Sequence, residues 1–203
     1  MADMSKPLTN PRIYLAGPEV FLPNALDIGR EKARLAAAAG FEGLFPLDQS
    51  LALDGLSPRE KAARIYAADR DMMHACDLCI ANLTPFRGVS MDSGTAFEVG
   101  FMQALGKPVF GYTNVPADYR QRAEAFRARG IPVGEFDRAD LMIEDFGLAE
   151  NLMIEMAIVA GGSSVIRSAV KAGEEAIDLA GYCACLEQAR RHFAGADDVR
   201  ESL

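Results

Sequence analysis

Glu98 stands in a stretch, Thr95-Ala-Phe-Glu98-Val-Gly-Phe-Met102, whose other residues are mostly apolar. A charge placed there is costly unless a partner or a reaction uses it. Asp92 lies just before the same predicted helix, so two carboxylates can face one small cavity. Such a pair suits displacement at an anomeric carbon, where one carboxylate attacks the sugar and another group handles the leaving group's proton. Nearness to a helix N-terminus is expected to favour ionised Glu98 by ~0.3–1 kcal/mol. The structural alternative makes Asp92 a helix-terminal residue and Glu98 a solvated carboxylate on the outer face. Spacing alone leaves both open.

Other chemistry-bearing patterns are weaker. Gly17-Pro-Glu-Val-Phe lacks the second and third glycines of a dinucleotide-binding turn. Gly100 to Lys107 has the wrong spacing for a Walker loop, ends a helix instead of opening one, and is followed by Pro108. Cys76-x-x-Cys79 and Cys183-x-Cys185, with His74 and His192, contain the residue types of a tetrahedral zinc site. Cys76 and Cys79, however, fall at the end of a predicted helix and inside the next strand, so they read as buried thiols. Neither a cofactor nor a metal is expected.

The elements that must position the carboxylates alternate. Strands are predicted at Arg12–Ala16, Phe41–Phe45, Leu78–Asn82 and Pro108–Tyr112. Helices are predicted over Asn24–Ala39, from Ser57 to about Ala75, and over Gly94–Leu105. Ser57-Pro-Arg-Glu60 carries a capping box with proline at the first helical position. Beyond Asn114 we expect a helix near Ala117–Arg129, a short strand near Leu141–Ile143, and mostly helix from Leu148 with a break at Gly161-Gly162. The alternation implies a doubly wound, flavodoxin- or Rossmann-like parallel sheet flanked by helices. Residues 1–11 read as a tail and 12–203 as one domain with an extra helical segment from about 160. Ligands of such sheets sit outside the carboxyl ends of the strands, where Gly17–Pro23, Pro46–Ser57 and Thr84–Asp92 gather.

Composition narrows the partners. Half of the 203 residues are apolar and the net charge is −8, so nucleic acid and anionic membrane are disfavoured and free small molecules are expected. No apolar run is long enough to span a bilayer, and the polar start differs from a signal peptide, so the cytoplasm is the expected compartment.

Three blocks carry a family resemblance: Ile13-Tyr14-Leu-Ala-Gly17-Pro18; Pro85-Phe-Arg-Gly88 with Asp92-Ser-Gly-Thr-Ala-Phe-Glu98-Val-Gly100; and Phe146-Gly-Leu-Ala-Glu-Asn151-Leu-Met153. Together they resemble the nucleoside 2-deoxyribosyltransferases over roughly residues 12 to 155. The resemblance implies Glu98 as nucleophile, oriented by the Tyr14 hydroxyl, with Asp92 beside the sugar and Asp69 near the base as proton donor. On a plain structural reading Asp69 would pair with Arg70 or Arg64. Gly17, Pro18, Phe21, Asp48, Gly88 and Ser90 are expected to contact substrate. Asn151 and Met153 would come from a neighbouring subunit, which implies a dimer-based homo-oligomer with shared sites. Deoxynucleosides and free nucleobases are the implied substrates, with the deoxyribose passing between bases. A deoxynucleotide N-hydrolase is the rival, and acidic Glu19 in the first loop counts against its 5′-phosphate. A non-catalytic nucleotide sensor is the third reading.

Overall fold

The computed structural model describes residues 10–129 and 141–201, the side chains of 195–201 excepted. Five strands, β1 (Arg12–Ala16), β2 (Glu42–Leu44), β3 (Leu78–Asn82), β4 (Val109–Thr113) and β5 (Ile166–Arg167), pair in the order β2-β1-β3-β4-β5. Every pairing is parallel. This is the doubly wound, flavodoxin-like order, whose switch point lies between β1 and β3.

The strands alternate between two apolar layers, as the period of two demands. Ile13, Leu15, Leu78, Ile80, Phe110 and Tyr112 pack on one face, with Ala25 and Ala36 of α1 (Ala25–Ala38) and with Tyr182, Cys185, Leu186 and Ala189 of α6 (Ala180–Glu201). Tyr14, Ala16, Cys79 and Ala81 face the other way. They meet Met73 of α2 (Pro58–Ala75), Val99 and Met102 of α3 (Ser93–Ala104) and Ile158 of α5 (Leu152–Ala160). Tyr14 and α3 therefore share a layer. α4 (Tyr119–Ala128) buries none of its residues.

The capping box of α2 forms: Glu60 N–H donates to Ser57 Oγ at 3.4 Å and Ser57 N–H to Glu60 Oε2 at 2.8 Å. One expectation fails beyond Asn114. Leu141–Ile143 forms no strand, and the fifth strand is the two-residue Ile166–Arg167, which extends the sheet beside Tyr112 and Thr113. From Leu148 the chain is mostly helix with the expected break at Gly161-Gly162: α5 ends at Ala160, α6 begins at Ala180, and residues 161–179 between them contain β5 and turns. The C-terminal segment is no appendage, since α6 supplies four buried residues to one apolar layer.

Among the described residues no helix is long and apolar enough to cross a membrane, and no group of three His, Cys, Asp or Glu could hold a metal ion. Cys76, Cys79 and Cys185 are buried free thiols and Cys183 is half-buried. Burial raises the thiol of Cys76 to about 12, which leaves it protonated and unreactive.

Candidate active site

A cavity of about 450 Å³ opens at the carboxyl ends of β1 and β3, a volume suited to a small organic ligand. Its walls come from the three loops that topology gathers there. Val20, Phe21, Pro46, Leu47, Leu51, Leu53 and Ile65 make most of it apolar, while Gln49, Asp69, Asp92, Thr95 and Glu98 supply the polar groups. Ile65 and Asp69 stand one helical turn apart on α2, so both reach the same wall.

Glu98 lines the cavity, and Tyr14, fully buried and not part of the wall, stands behind it. The Tyr14 hydroxyl donates to Glu98 Oε1 at 2.6 Å, which leaves Oε2 free to face a ligand. Glu98 is half-buried and not solvated on an outer face. Burial raises its carboxyl to about 8; the Tyr14 hydrogen bond opposes that rise, and the charges of Asp69 and Asp92 add to it. The expected preference for the ionised form is thus reversed. Glu98 is the sixth residue of α3, beyond the first turn where the helix terminus acts, and desolvation is the larger effect. Burial and the neighbouring Glu98 charge hold the Tyr14 phenol well above its ordinary range, so it stays a donor.

Asp92 is both cavity wall and N-cap of α3. Its Oδ2 accepts from Thr95 N–H at 3.0 Å and from Thr95 Oγ1 at 3.3 Å. Its other oxygen makes no hydrogen bond among the described residues. Asp69 also lines the cavity, and burial pushes its carboxyl up to about 6. The arginines that might have neutralised it are engaged elsewhere: Arg70 with Asp71 at 2.9 Å, and Arg64 with the Ala52 carbonyl at 2.8 Å. Asp69 is left as a carboxyl group lining the cavity with no cation paired to it among the described residues.

Other expected contacts divide. Gly17 and Phe21 line the cavity. A Cβ on Gly17 would lie 1.9 Å from Glu19 Oε2, so only glycine fits that turn. Phe21 stacks on Phe86 at 5.2 Å with the Arg87 guanidinium 5.1 Å from its ring, an arrangement that borders the cavity. Pro18 is buried at the start of the 3₁₀ turn Pro18–Phe21 and is not part of the wall. Asp48 instead accepts from Phe45 N–H at 3.0 Å, closing the turn Pro46–Asp48. Gly88 is exposed outside the cavity, and the Ser90 hydroxyl is committed to Glu150 at 2.5 Å. Asn151 caps α5 through Met153 N–H at 3.0 Å, and Met153 is 71% exposed; both are away from this chain's own cavity.

Gln49 and Lys32 went unrecognised, and Glu19 stands elsewhere than expected. Gln49 lines the cavity with its Nε2 donating to the Ala68 carbonyl at 3.3 Å. Glu19 does not face the ligand. It is buried against Lys32, accepts from Asn82 at 2.9 Å and from the Tyr112 hydroxyl at 3.0 Å, and packs beneath the first loop. Its acidity therefore says nothing against a phosphate at the cavity. Lys32 could have been anticipated, because it falls on the stripe 25, 28, 29, 32, 36 that α1 buries.

Residues 13–153 match the nucleoside 2-deoxyribosyltransferase family over most of the chain. The chain belongs to this family. An uncharacterized protein of Schizosaccharomyces pombe is 34% identical over 175 residues, 79% of this chain and 83% of that protein. The solved structure of a 2-deoxyribosyltransferase from Leishmania mexicana superposes with a TM-score of 0.55 at 32% identity, covering 71% of this chain and 85% of that one. A conserved protein from Enterococcus faecalis V583 shares the fold, with a TM-score of 0.53 at 20% identity, over 89% of this chain and 99% of its own. The nucleoside 2-deoxyribosyltransferase match ends at Met153, before β5 and α6. Tyr14, Asp69, Asp92 and Glu98 all fall inside it.

Proposed function

We propose that this protein exchanges the base of a 2′-deoxynucleoside by double displacement through a deoxyribosyl ester of Glu98. The observation that carries this is the Tyr14–Glu98 contact behind an apolar cavity that Glu98, Asp69 and Asp92 line. Glu98 Oε2 attacks C1′, the bond from C1′ to the base nitrogen breaks, and that nitrogen takes its electron pair together with a proton from Asp69. A second base then attacks C1′ from the vacated face. The ester C–O bond breaks, Glu98 recovers its carboxylate, and the incoming base's proton passes to Asp69. Two inversions give net retention. The free Asp92 oxygen is placed to hold the sugar, and the apolar wall suits a flat base with Gln49 reading its edge.

The chain also works, on this reading, as a dimer-based homo-oligomer in the cytoplasm. Four free thiols fit a reducing compartment. Exposed Tyr66, Phe97, Met153 and Met156 supply apolar surface that a second copy would cover, and Asn151 and Met153 would then reach the neighbouring site. Light scattering tests this directly, with a monomer at working concentration as the contrary result.

A second reading is hydrolysis of a deoxynucleoside 5′-monophosphate, favoured by Arg87. Its guanidinium lies over the rings of Phe21 and Phe86, with no carboxylate partner among the described residues. Incubation of wild type and Glu98→Ala with deoxyinosine plus adenine, with thymidine plus adenine, and with deoxynucleoside monophosphates separates the two. Deoxyadenosine formed by wild type alone supports transfer; free base and deoxyribose phosphate without exchange support hydrolysis.

A further inference from the structure

The loop that delivers Asp92 to the cavity is gripped from behind by two buried side chains that the chemistry above does not use. The Glu150 side chain is 0% exposed and that of Arg122 is 8% exposed, and they pair at 3.3 Å. Glu150 Oε1 accepts from Ser90 Oγ at 2.5 Å and from Asn151 N–H at 3.0 Å, and Oε2 accepts from Met91 N–H at 3.0 Å. Arg122 donates through Nε to the Val89 carbonyl at 2.8 Å and through Nη1 to the Ala117 carbonyl at 2.7 Å. Val89, Ser90 and Met91 immediately precede Asp92, and each is held by one member of the pair. The loop also closes on itself through Phe86 N–H and the Ser90 carbonyl at 2.9 Å.

Burying an ion pair is expensive, and a well-packed apolar pair would tie this loop to the core at lower cost. An apolar pair could not fix a carbonyl, a hydroxyl and an N–H on three successive residues. Those three constraints set the direction in which the chain enters Asp92, and hence where its free oxygen points. We propose that Arg122 and Glu150 are positioning residues that place Asp92 for its hold on the nucleoside. The role of Asp92 rests on the proposed function; the positioning of its loop does not.

Glu150→Gln keeps the shape but replaces one acceptor with a donor, which must confront Met91 N–H, Asn151 N–H or Arg122. In wild-type background this variant is expected to raise the KM for deoxynucleoside about tenfold with kcat changed less than about threefold. In an Asp92→Ala background the same substitution should change KM less than about twofold, because the effect runs through Asp92. Hydrogen exchange by mass spectrometry supplies a readout independent of turnover: peptides spanning 86–95 should lose protection while those of β1 and β3 keep it. Ser90→Ala and Arg122→Lys, each removing part of the grip, repeat both measurements with smaller effects should Glu150→Gln fold poorly. Equal KM effects in both backgrounds, or an unaltered exchange pattern for 86–95, would overturn the proposal. Where wild type turns over no nucleoside, the proposed function fails and hydrogen exchange alone still decides whether this pair positions the loop.

Discussion

Tyr14→Phe removes a single oxygen, and the structure says what that oxygen does. The lost contact is the 2.6 Å hydrogen bond to Glu98 Oε1, which opposes the rise of the Glu98 carboxyl to about 8. With that value about 10% of the free protein carries ionised Glu98 at pH 7. A hydrogen bond to a charged group contributes about 1.5–3 kcal/mol, so its loss raises the Glu98 value by a further one to two units. The ionised fraction at pH 7 then falls about ten- to a hundredfold, whereas at pH 9 it falls only about two- to tenfold. The assay is kcat/KM for base exchange from pH 6 to 9.5, which reports the ionisation of the free protein. Phenylalanine fills the same buried position, and circular dichroism checks that the fold is kept. A deficit that stays constant from pH 7 to 9 would refute the reasoning, since Tyr14 would then act by something other than the ionisation of Glu98.

Glu98→Gln should stabilise the fold with increasing pH. The folded state keeps the Glu98 proton up to about 8 while the unfolded chain releases it near its ordinary value, so stability falls as pH rises between the two. The glutamine variant lacks this slope and should gain at least ~1.4 kcal/mol over wild type between pH 5 and 9 in urea titrations; parallel wild-type and variant trends would contradict it. Lys32→Met leaves Glu19 buried without its counter-ion and should cost about 3–5 kcal/mol, with recovery when Glu19→Gln is added. A cost below about 1 kcal/mol would show that the pair is not buried as described. Asp69→Asn removes the proton donor whose loss above about 6 offsets the ionisation of Glu98 up to about 8. Exchange should slow about a hundred- to ten-thousandfold, and a profile flat between about pH 6 and 8 in wild type should become one that rises towards pH 8. A variant profile still flat over that range would assign the proton donor to another group.

Where residues carry strong local patterns, the elements stand where the sequence puts them. β1 and β3 have the predicted bounds, and Ser57 caps α2 as read from Ser-x-x-Glu. Tyr14 on β1 and Glu98 on α3 meet because strand alternation and the helix face fall in one layer, a consequence of fold order that the family blocks pointed to. β5 was illegible because two residues carry no period; it exists through pairing with Tyr112 and Thr113. Leu141–Ile143 is apolar enough for a strand but pairs with no strand among the described residues. Glu98 was misjudged in ionisation because burial is a tertiary quantity, which no one-dimensional spacing reports. Glu19 read as a loop acid for the same reason: its counter-ion lies a helix away at Lys32. Glu150 sits beside Asn151 with nothing to distinguish it until Ser90 and Met91, sixty residues earlier, come within reach.

The central claim is a sugar covalently held on Glu98. Acid quenching of the protein with a 2′-deoxynucleoside, followed by proteolysis and mass spectrometry, tests it most directly. A deoxyribosyl increment on the peptide containing Glu98, absent from Glu98→Ala and discharged by added adenine as deoxyadenosine, is the predicted result. Base exchange that proceeds in Glu98→Ala, or an increment mapped to another residue, would contradict the account.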